Sequence, residues 1–171
     1  MSLQQGVKPK TLDQAVLLRF FKEYWGLGLD SQHPDRHFTT EIPRRALHTP
    51  ILLNAILAVS SLHQSRLWNL STSSLAAEEY HRDCVMLMLE MLDRMKEPIN
   101  ELLLATAVIL RVYEQMNSLA FKLTIITPAE LSSDIECHLL GASALASNTN
   151  STCGKLWKAA FWIYLRQDIC T

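Results

Sequence analysis

Within its first half the chain reads Thr49-Pro50-Ile51-Leu52-Leu53-Asn54-Ala55-Ile56-Leu57-Ala58-Val59. Threonine is a favoured N-cap residue, and proline suits the first helical position because the N–H that it lacks has no helical partner there. From Ile51 to Trp68 apolar residues then recur on nearly every side of the predicted helix. Because a helix that is hydrophobic all round lies in a protein interior, this segment predicts a central, buried helix.

A second helical pattern precedes the central segment and runs from Thr11 to Tyr24. Thr11 is a favoured N-cap residue, and Asp13 in the first turn suits the positive end of the helix dipole. The following Trp25-Gly26-Leu27-Gly28 predicts the end of this helix, because glycine destabilises helices and permits turns. The stretch from Asp30 to Pro43 is rich in His, Pro and Thr, which indicates a connector broken by prolines.

Four more helices are predicted after the central one. The tetrapeptide Ser71-Thr72-Ser73-Ser74 indicates a polar turn that offers several N-cap residues. Helical patterns beyond it span Leu75–Lys96, Glu101–Met116, Asp134–Ser147 and Lys155–Ile169. Residues Ser118 to Ser133 match no regular pattern that can be paired, and we predict a loop or an insertion there, at 118–133.

The order of these segments predicts an all-α fold, an irregular array of about six helices. Helix pairs joined by short connections, without a βαβ unit or an exact repeat, are more typical of an α-solenoid-like array than of a four-helix bundle. We expect one helical domain over residues 11–171, preceded by a disordered polar tail over residues 1–10.

The last predicted helix reaches the end of the chain without a glycine, asparagine or proline to stop it. Its expected apolar face consists of Leu156, Trp157, Ala160, Phe161, Tyr164 and Leu165. A face of this width needs a partner surface. We therefore expect a domain that is incomplete at the C-terminus, a partly exposed aromatic face, and an isolated chain that self-associates through this helix.

The composition excludes several classes of protein. Hydrophobic residues make up 49% of the 171 residues and charged residues 19%, which is typical of a globular chain rather than a disordered one. The net charge of −1 and the absence of a basic run disfavour direct contact with nucleic acid. The first ten residues lack the apolar core of a secretory signal, and no apolar run has the length of a transmembrane helix.

The cysteines and histidines do not predict a metal site. Cys84, Cys137, Cys153 and Cys170 form no C-x-x-C pair, so we expect buried free thiols rather than zinc ligands, a redox dithiol or disulfides. His33, His37 and His48 lie near Asp35 and Glu41, but Pro34 disfavours the helix that His33 and His37 would need to chelate a metal. His63 and His81 are expected at the core or its boundary.

No stretch predicts catalysis. Glu78-Glu79-Tyr80-His81-Arg82-Asp83 places Glu78 and Arg82 four residues apart, which is typical of a solvated helix face with one ion pair. The chain has no nucleophile elbow, no P-loop and no dinucleotide fingerprint. Arg36, Arg44 and Arg45 form a small basic cluster suited to a partner or to an acidic helix end. The methionines at 86, 88, 91 and 95 are expected mostly in the core.

Seven segments occur in an order that has the pattern of a known family. They are Phe20-Phe21-Lys22-Glu23-Tyr24, Asp35-Arg36-His37-Phe38-Thr39-Thr40-Glu41-Ile42-Pro43, Pro50-Ile51-Leu52-Leu53-Asn54-Ala55-Ile56-Leu57-Ala58, Ala77-Glu78-Glu79-Tyr80-His81, Leu104-Ala105-Thr106-Ala107-Val108-Ile109-Leu110-Arg111-Val112-Tyr113-Glu114-Gln115-Met116, His138-Leu139-Leu140-Gly141-Ala142-Ser143 and Ala159-Ala160-Phe161-Trp162-Ile163-Tyr164-Leu165-Arg166-Gln167-Asp168-Ile169. In this order, over roughly residues 11 to 170, the chain resembles the regulatory domain of fungal-specific binuclear zinc-cluster transcription factors.

The resemblance implies an all-α domain of a nuclear activator or repressor that regulates transcription by RNA polymerase II. In that family zinc and DNA are bound by a six-cysteine cluster, which this sequence lacks, so no residue here is expected to bind either. The implied partners are coregulators, the remainder of the full-length factor or a small effector, contacted without catalysis. The resemblance assigns no catalytic, cofactor-binding or metal-binding residue. The alternative is a stand-alone helical scaffold for protein interactions unrelated to transcription.

Overall fold

The computed structural model describes residues 12–31, 35–69, 71–94, 101–124 and 154–169. The helices in these ranges are α1 (Leu12–Phe21), a π-helix (Lys22–Gly26), α2 (Leu27–Leu29), α3 (Glu41–Ala46), α4 (Pro50–Trp68), α5 (Ser71–Arg94), α6 (Glu101–Thr124) and α7 (Lys155–Ile169). Every regular element among the described residues is helical, so the predicted all-α fold is confirmed. The predicted tail over residues 1–10 and the predicted helix Asp134–Ser147 lie outside these ranges.

Helix α4 lies at the centre of the fold. It packs against α1, α3, α5 and α6, and most of its residues are buried, including Leu52, Ile56 and Leu57 with no exposed surface. Thr49 occupies the extended N-cap position with Pro50 after it, although the Thr49 side chain makes no capping hydrogen bond. The prediction of a central, buried helix from its continuous apolar sequence is therefore correct.

The core is completed by α5 and α6, which both pack against α4. Helix α6 buries Leu103, Leu104 and Ile109, while α5 contributes Ala77 and Cys84. The Cys84 thiol donates a hydrogen bond to the carbonyl oxygen of Ile51 at 3.2 Å, and burial raises its pKa to about 12. Cys84 is thus a buried, protonated free thiol, as expected, and the other three cysteines lie outside the described residues.

The first helix does not end at the predicted glycines. The helical path continues from Phe21 through the π-helix into α2 and reaches Leu29. A methyl group at Gly26 would lie 3.0 Å from both the carbonyl oxygen of Phe38 and the Cα atom of Thr39. Gly26 is therefore needed for the close approach of the connector to the helix, and the predicted turn at Trp25–Gly28 was wrong.

Three other predicted boundaries also differ from the structure. Helix α3 lies partly within the predicted connector. Pro43 is compatible with it because this residue falls in the first turn, where backbone N–H groups have no acceptor within the helix, so the N–H that proline lacks is not needed. Helix α5 begins at Ser71 rather than Leu75, so the predicted polar turn is its first turn. Helix α6 continues to Thr124, beyond Met116, so the predicted loop at 118–133 is helical as far as it is described.

The connector before α3 is held by the buried carboxylate of Asp30. Its Oδ1 accepts a hydrogen bond from the backbone N–H of Phe38 at 2.9 Å. Its Oδ2 accepts hydrogen bonds from the backbone N–H and the hydroxyl of Thr39, both at 2.6 Å. This carboxylate satisfies donors that would otherwise be buried without partners, and it fixes Phe38 in the core.

Helix α7 packs against α6 through part of the predicted face and through two residues that the prediction left out. Among its described side chains Leu156 and Ala160 are buried, as predicted, together with Ala159 and Ile163, whereas the side chains of Tyr164 and Leu165 lie outside the description. Trp157 and Phe161 lie at the edge of this face, partly exposed as expected, with their rings stacked 4.8 Å apart. Small alanines in the centre allow close approach to α6, whereas Trp162, which the prediction did not place on the aromatic face, is 64% exposed. None of the described helices is both long and apolar enough to cross a membrane.

Candidate functional site

The histidines on either side of α3 do not converge on a metal site among the described residues. His37 Nε2 lies 3.7 Å from Asp35 Oδ2, His48 is exposed, and His33 lies outside the described residues. Glu41 is engaged by arginines instead. Among the residues that the structure describes, no group of three or more His, Cys, Asp or Glu side chains could hold a metal ion.

Two arginines of the predicted basic cluster, Arg44 and Arg45, form an ion-pair network that does not include Arg36. Arg44 and Arg45 both bind Glu41, and the hydrogen bonds from Arg44 and then Arg45 lower the pKa of that carboxyl. Arg45 also donates to Oε1 of Glu101, the first residue of α6, and this hydrogen bond is the main reason that the pKa of Arg45 is raised. Arg45 therefore contacts an acidic helix end, which was one of the two expected roles.

The acidic segment of α5 presents a solvated face. Glu78, Glu79 and Asp83 are exposed. Arg82 lies 3.5 Å from Asp83, so the predicted ion pair between Glu78 and Arg82 is not formed. Exposed charged side chains are not fixed by packing, and helical spacing alone does not select a partner for them. This segment brings no acid–base pair together.

His81 of the same helix lies inward. Its ring stacks on that of Tyr113 from α6 at 4.4 Å with an interplanar angle of 13°. Burial lowers the pKa of His81, while the nearby Glu114 opposes this effect. Burial also raises the pKa of Tyr113. The two rings are therefore uncharged near neutral pH and act as packing groups between α5 and α6.

A larger group of rings forms where α1 and the π-helix cross α4. We call it the aromatic cluster, and it consists of Phe20, Tyr24, Trp25, His63 and Trp68. Its ring centroids are separated by 4.4 Å for Phe20 and Tyr24, 5.2 Å for Phe20 and His63, and 5.3 Å for Trp25 and His63. Tyr24 lies 5.9 Å from His63, and Trp68 lies 6.4 Å from Phe20. Three rings from α1 and the π-helix thus lie around the His63 imidazole, and Trp68 joins the cluster through Phe20.

The π-helix explains why Tyr24 and Trp25 both reach this cluster. A π-helix closes its hydrogen bonds between residues five apart, so one turn is wider than in an α-helix. Residues four and five positions after Phe20 then return to the face of Phe20, which lies over α4. Isolated π-turns are rare and occur frequently at functional sites, so this local distortion marks the cluster as a candidate site.

The polar atoms of the cluster are not satisfied within the described part of the chain. Nδ1 of His63 and Nε1 of Trp25 are buried and have no hydrogen-bond partner there. Burial lowers the pKa of His63, and the positive charge of Arg66 lowers it further. His63 is therefore a neutral imidazole at pH 7, and the cluster holds hydrogen-bonding capacity that it does not use.

The outer rim of the cluster is apolar and open to solvent. Tyr24 and Trp68 are 56% and 57% exposed, and Leu27 and Leu67 are also more than half exposed. Leu67 follows His63 by one helical turn, so it extends the same face of α4. A concentration of exposed large apolar side chains around unsatisfied polar atoms is typical of a binding surface.

A second exposed apolar row lies on α5. Met88 and Met91 pack against the core, as expected, while Met86 is exposed together with Leu89 and Leu92. Met95 lies outside the described residues. This row contains no aromatic ring and no buried polar atom without a partner, so the aromatic cluster is the stronger candidate site.

The sequence contains only a weak signal for the aromatic cluster. The pairs Phe20-Phe21 and Tyr24-Trp25 are visible, but His63 and Trp68 are five residues apart, a spacing that does not predict a shared face of an α-helix. Their convergence depends on the crossing of α1 over α4 and on the π-turn. Neither can be deduced from periodicity, because an α-helical pattern places Trp25 on a different face from Phe20.

Comparison with known proteins identifies the family. The family model described as the fungal specific transcription factor domain matches residues 29–152 of this chain. The match includes α3 to α6 and, within the aromatic cluster, His63 and Trp68, while α1 and α7 lie outside it. No curated protein and no solved structure matches the chain significantly. Since the match covers more than half of the sequence, the chain belongs to the family of the fungal specific transcription factor domain.

Proposed function

We propose that this chain is a regulatory domain of a zinc-cluster transcription factor, which changes transcription by RNA polymerase II through contacts of its helix faces with proteins or small effectors. Membership of the family supports a role in transcription regulation, and the family is in general not enzymatic. DNA contact is assigned to a zinc cluster outside this sequence. Family membership likewise favours the nucleus as the site of action.

The aromatic cluster is the observation that supports contact-based regulation most directly. Its rim exposes Tyr24 and Trp68 next to unsatisfied polar atoms of Trp25 and His63. Aromatic side chains are enriched where binding energy concentrates, because they bury large areas with little loss of side-chain entropy. This chemistry suits recognition rather than bond making.

The proposed partners are transcriptional coregulators and the remainder of the full-length factor. A second copy of the chain is a further partner that α7 could contact, since Trp162 is exposed there. The two surfaces lie on different helices, so single substitutions can separate their contributions.

A reporter assay tests the proposal. The chain is fused to a heterologous DNA-binding domain that enters the nucleus, and expression of a reporter gene is compared with that given by the DNA-binding domain alone. We expect a change in reporter expression that is lost in Trp68→Ala, with Trp162→Ala as the matched variant of another exposed tryptophan. Loss in Trp162→Ala alone would assign the activity to α7 instead of the aromatic cluster.

A fusion that accumulates in the nucleus, is folded and leaves the reporter unchanged would contradict a role in transcription. It would favour the stand-alone helical scaffold as the function of the chain. Circular dichroism of the purified variants is the control for folding.

A further inference from the structure

The outer side of α5 carries a line of four exposed side chains, which we call the outer row. It consists of Arg82, Met86, Leu89 and Asp93. Met86 is 56% and Leu89 57% exposed, and the charged residues at the two ends of the row are exposed as well. Their spacings of four, three and four residues keep all four side chains on one side of an α-helix, as at the seam of a coiled coil. Two apolar groups therefore lie between one positive and one negative charge.

The core fixes the direction in which the outer row faces. On the inner side of α5, Ala77 and Cys84 have no exposed surface, and the Cys84 thiol donates its hydrogen bond to the carbonyl oxygen of Ile51 on α4 at 3.2 Å. Met86 follows Cys84 by two residues, and each residue turns an α-helix by about 100°. The outer row thus faces away from α4, and a rotation of α5 that buried it would expose Cys84.

The order of charges along the outer row is complementary to the same order read backwards. From its N-terminal end the row reads positive, apolar, apolar, negative. When a second, antiparallel copy of α5 lies against the first, Arg82 faces Asp93 of the second copy, and Met86 faces Leu89 of the second copy. A two-fold axis between the helices makes each of these contacts occur twice. The row is therefore self-complementary in both charge and apolar character.

We propose that the outer row is a self-association surface, through which two copies of this chain pair α5 against α5 in antiparallel orientation. Met86 and Leu89 provide the apolar contact, since large exposed apolar side chains gain free energy when they leave water. The ion pairs set the orientation and the register of the two helices. This pairing requires no role in transcription, and its surface is distinct from that of α7, the other helix suited to contact a second copy.

The charge order disfavours the other simple arrangements of two α5 helices. A parallel pair in register places Arg82 against Arg82 and Asp93 against Asp93, and like charges at short distance are unfavourable. An antiparallel pair displaced by seven residues places Met86 against Arg82 or Leu89 against Asp93, depending on the direction of the displacement. An apolar side chain then faces a charged one. Of these arrangements, only the proposed register pairs both charges and both apolar groups.

The present contact of Arg82 does not prevent this pairing. Its guanidinium lies 3.5 Å from the carboxylate of Asp83, and the two side chains are 70% and 57% exposed. Because an exposed ion pair contributes little to stability, Arg82 can exchange this neighbour for Asp93 of a second copy at a small cost in free energy.

Sedimentation equilibrium of the purified chain in reducing buffer tests the proposal. One helix pair is a small interface, so we expect a reversible dimer that is populated at about 100 µM and dissociates near about 1 µM. Arg82→Glu places a glutamate against Asp93 of the second copy, and we expect the dissociation constant of the dimer to rise about tenfold or more. Asp93→Arg should have the same effect. Leu89→Ser should also weaken the dimer, because it removes apolar contact.

A mixture of the two charge variants tests the register directly. When Arg82→Glu and Asp93→Arg are mixed in equal amounts, the introduced glutamate of one chain faces the introduced arginine of the other. At the second contact the original Arg82 and Asp93 face each other. We expect this heterodimer, and the homodimer of the double variant, to form about as tightly as the original dimer. If both single variants are folded by circular dichroism but do not dimerise when mixed, the antiparallel register is overturned.

Three variants on other helices are the controls. Arg19→Glu on α1 changes the net charge by the same amount as Arg82→Glu, and Leu67→Ser on α4 removes a leucine that is 53% exposed. Neither should change the dimer, and an equal loss in Arg19→Glu and Arg82→Glu would overturn the proposal. A dimer that is lost in Trp162→Ala but kept in Arg82→Glu would overturn it in favour of α7. A chain that stays monomeric at about 100 µM would also overturn it and would leave this face to another partner, such as the remainder of the full-length factor.

Discussion

The guanidinium of Arg45 lies 2.5 Å from Oε1 of Glu101, a contact that ties α3 to the first residue of α6 across 56 positions of sequence. The second carboxylate oxygen of Glu101 approaches the start of α7, because a methyl group at Gly154 would lie 2.8 Å from it. One carboxylate therefore lies at the meeting point of three helices, two of which belong to the matched family region.

Loss of this contact should destabilise the fold. Glu101→Gln removes the charge while keeping the shape, and we expect the free energy of unfolding to fall by about 1 kcal/mol, since solvent partly screens the pair. Urea unfolding followed by circular dichroism measures the change. Glu23→Gln is the control, because its ion pair with Arg19 is exposed and should contribute little. An equal effect of the two substitutions would show that the Arg45 contact has no special role.

A fall in pH should lower the stability of the same region, because the carboxylate of Glu41 becomes protonated. The arginines lower the pKa of Glu41 in the folded chain below its ordinary value of 4.5. As pH falls through and below that value, the unfolded chain takes up a proton more readily than the folded chain, so protonation favours unfolding. The contribution of Glu41 is therefore present above about pH 5 and is lost as the pH falls towards the lower folded-state pKa.

Urea unfolding at a series of pH values tests this prediction. Glu41→Gln should lower stability near neutral pH by less than about 1 kcal/mol and flatten the loss of stability in acid. A variant with the same acid dependence as the original chain would show that other carboxylates cause it.

The buried carboxylate of Asp30 should be more important than either ion pair. Asp30→Ala leaves the N–H groups of Phe38 and Thr39 buried without acceptors, and we expect a loss of about 2–4 kcal/mol. Asp30→Asn, which keeps one side-chain oxygen as an acceptor, should lose less. Thermal unfolding of both variants checks the order. A loss in Asp30→Ala no larger than that in Asp30→Asn would contradict it.

The central helix could be predicted because apolar residues occur on nearly every side of it, and this pattern indicates a buried helix. Nine of the twelve residues from Ile51 to Leu62 are apolar and lie on nearly every side of the helix, which predicts burial without knowledge of any partner. The boundaries of neighbouring helices were less predictable, since Pro43 and Ser71 are compatible with a turn and equally with the first turn of a helix.

The candidate site was less predictable than the fold for a physical reason. Phe20 and His63 are 43 positions apart, and only the packing of α1 on α4 brings their rings within 5.2 Å. The π-turn that adds Trp25 is a rare element that the periodicity of the sequence does not predict.

The glycines of the first helix show how one sequence signal can have two physical causes. Gly26 and Gly28 both suggested a turn, yet both lie in the continuous helical path from Leu12 to Leu29. A methyl group at Gly26 would lie 3.0 Å from Phe38 O and from Thr39 Cα, whereas a methyl group at Gly28 would have no neighbour within 4 Å. Gly26 is thus required by contact, while Gly28 is not.

The two alanine variants should consequently have opposite effects. Gly26→Ala forces the connector away from the helix and should destabilise the chain by about 1–3 kcal/mol. Gly28→Ala should be neutral or stabilise it by up to about 1 kcal/mol, because alanine reduces the conformational entropy of the unfolded chain and favours the helix. Urea unfolding of the two proteins under the same conditions measures both values. If Gly26→Ala proved as stable as Gly28→Ala, the close approach of Phe38 and Thr39 to the helix would be wrong. The anchoring of the connector by Asp30, which places Phe38 there, would then need revision as well.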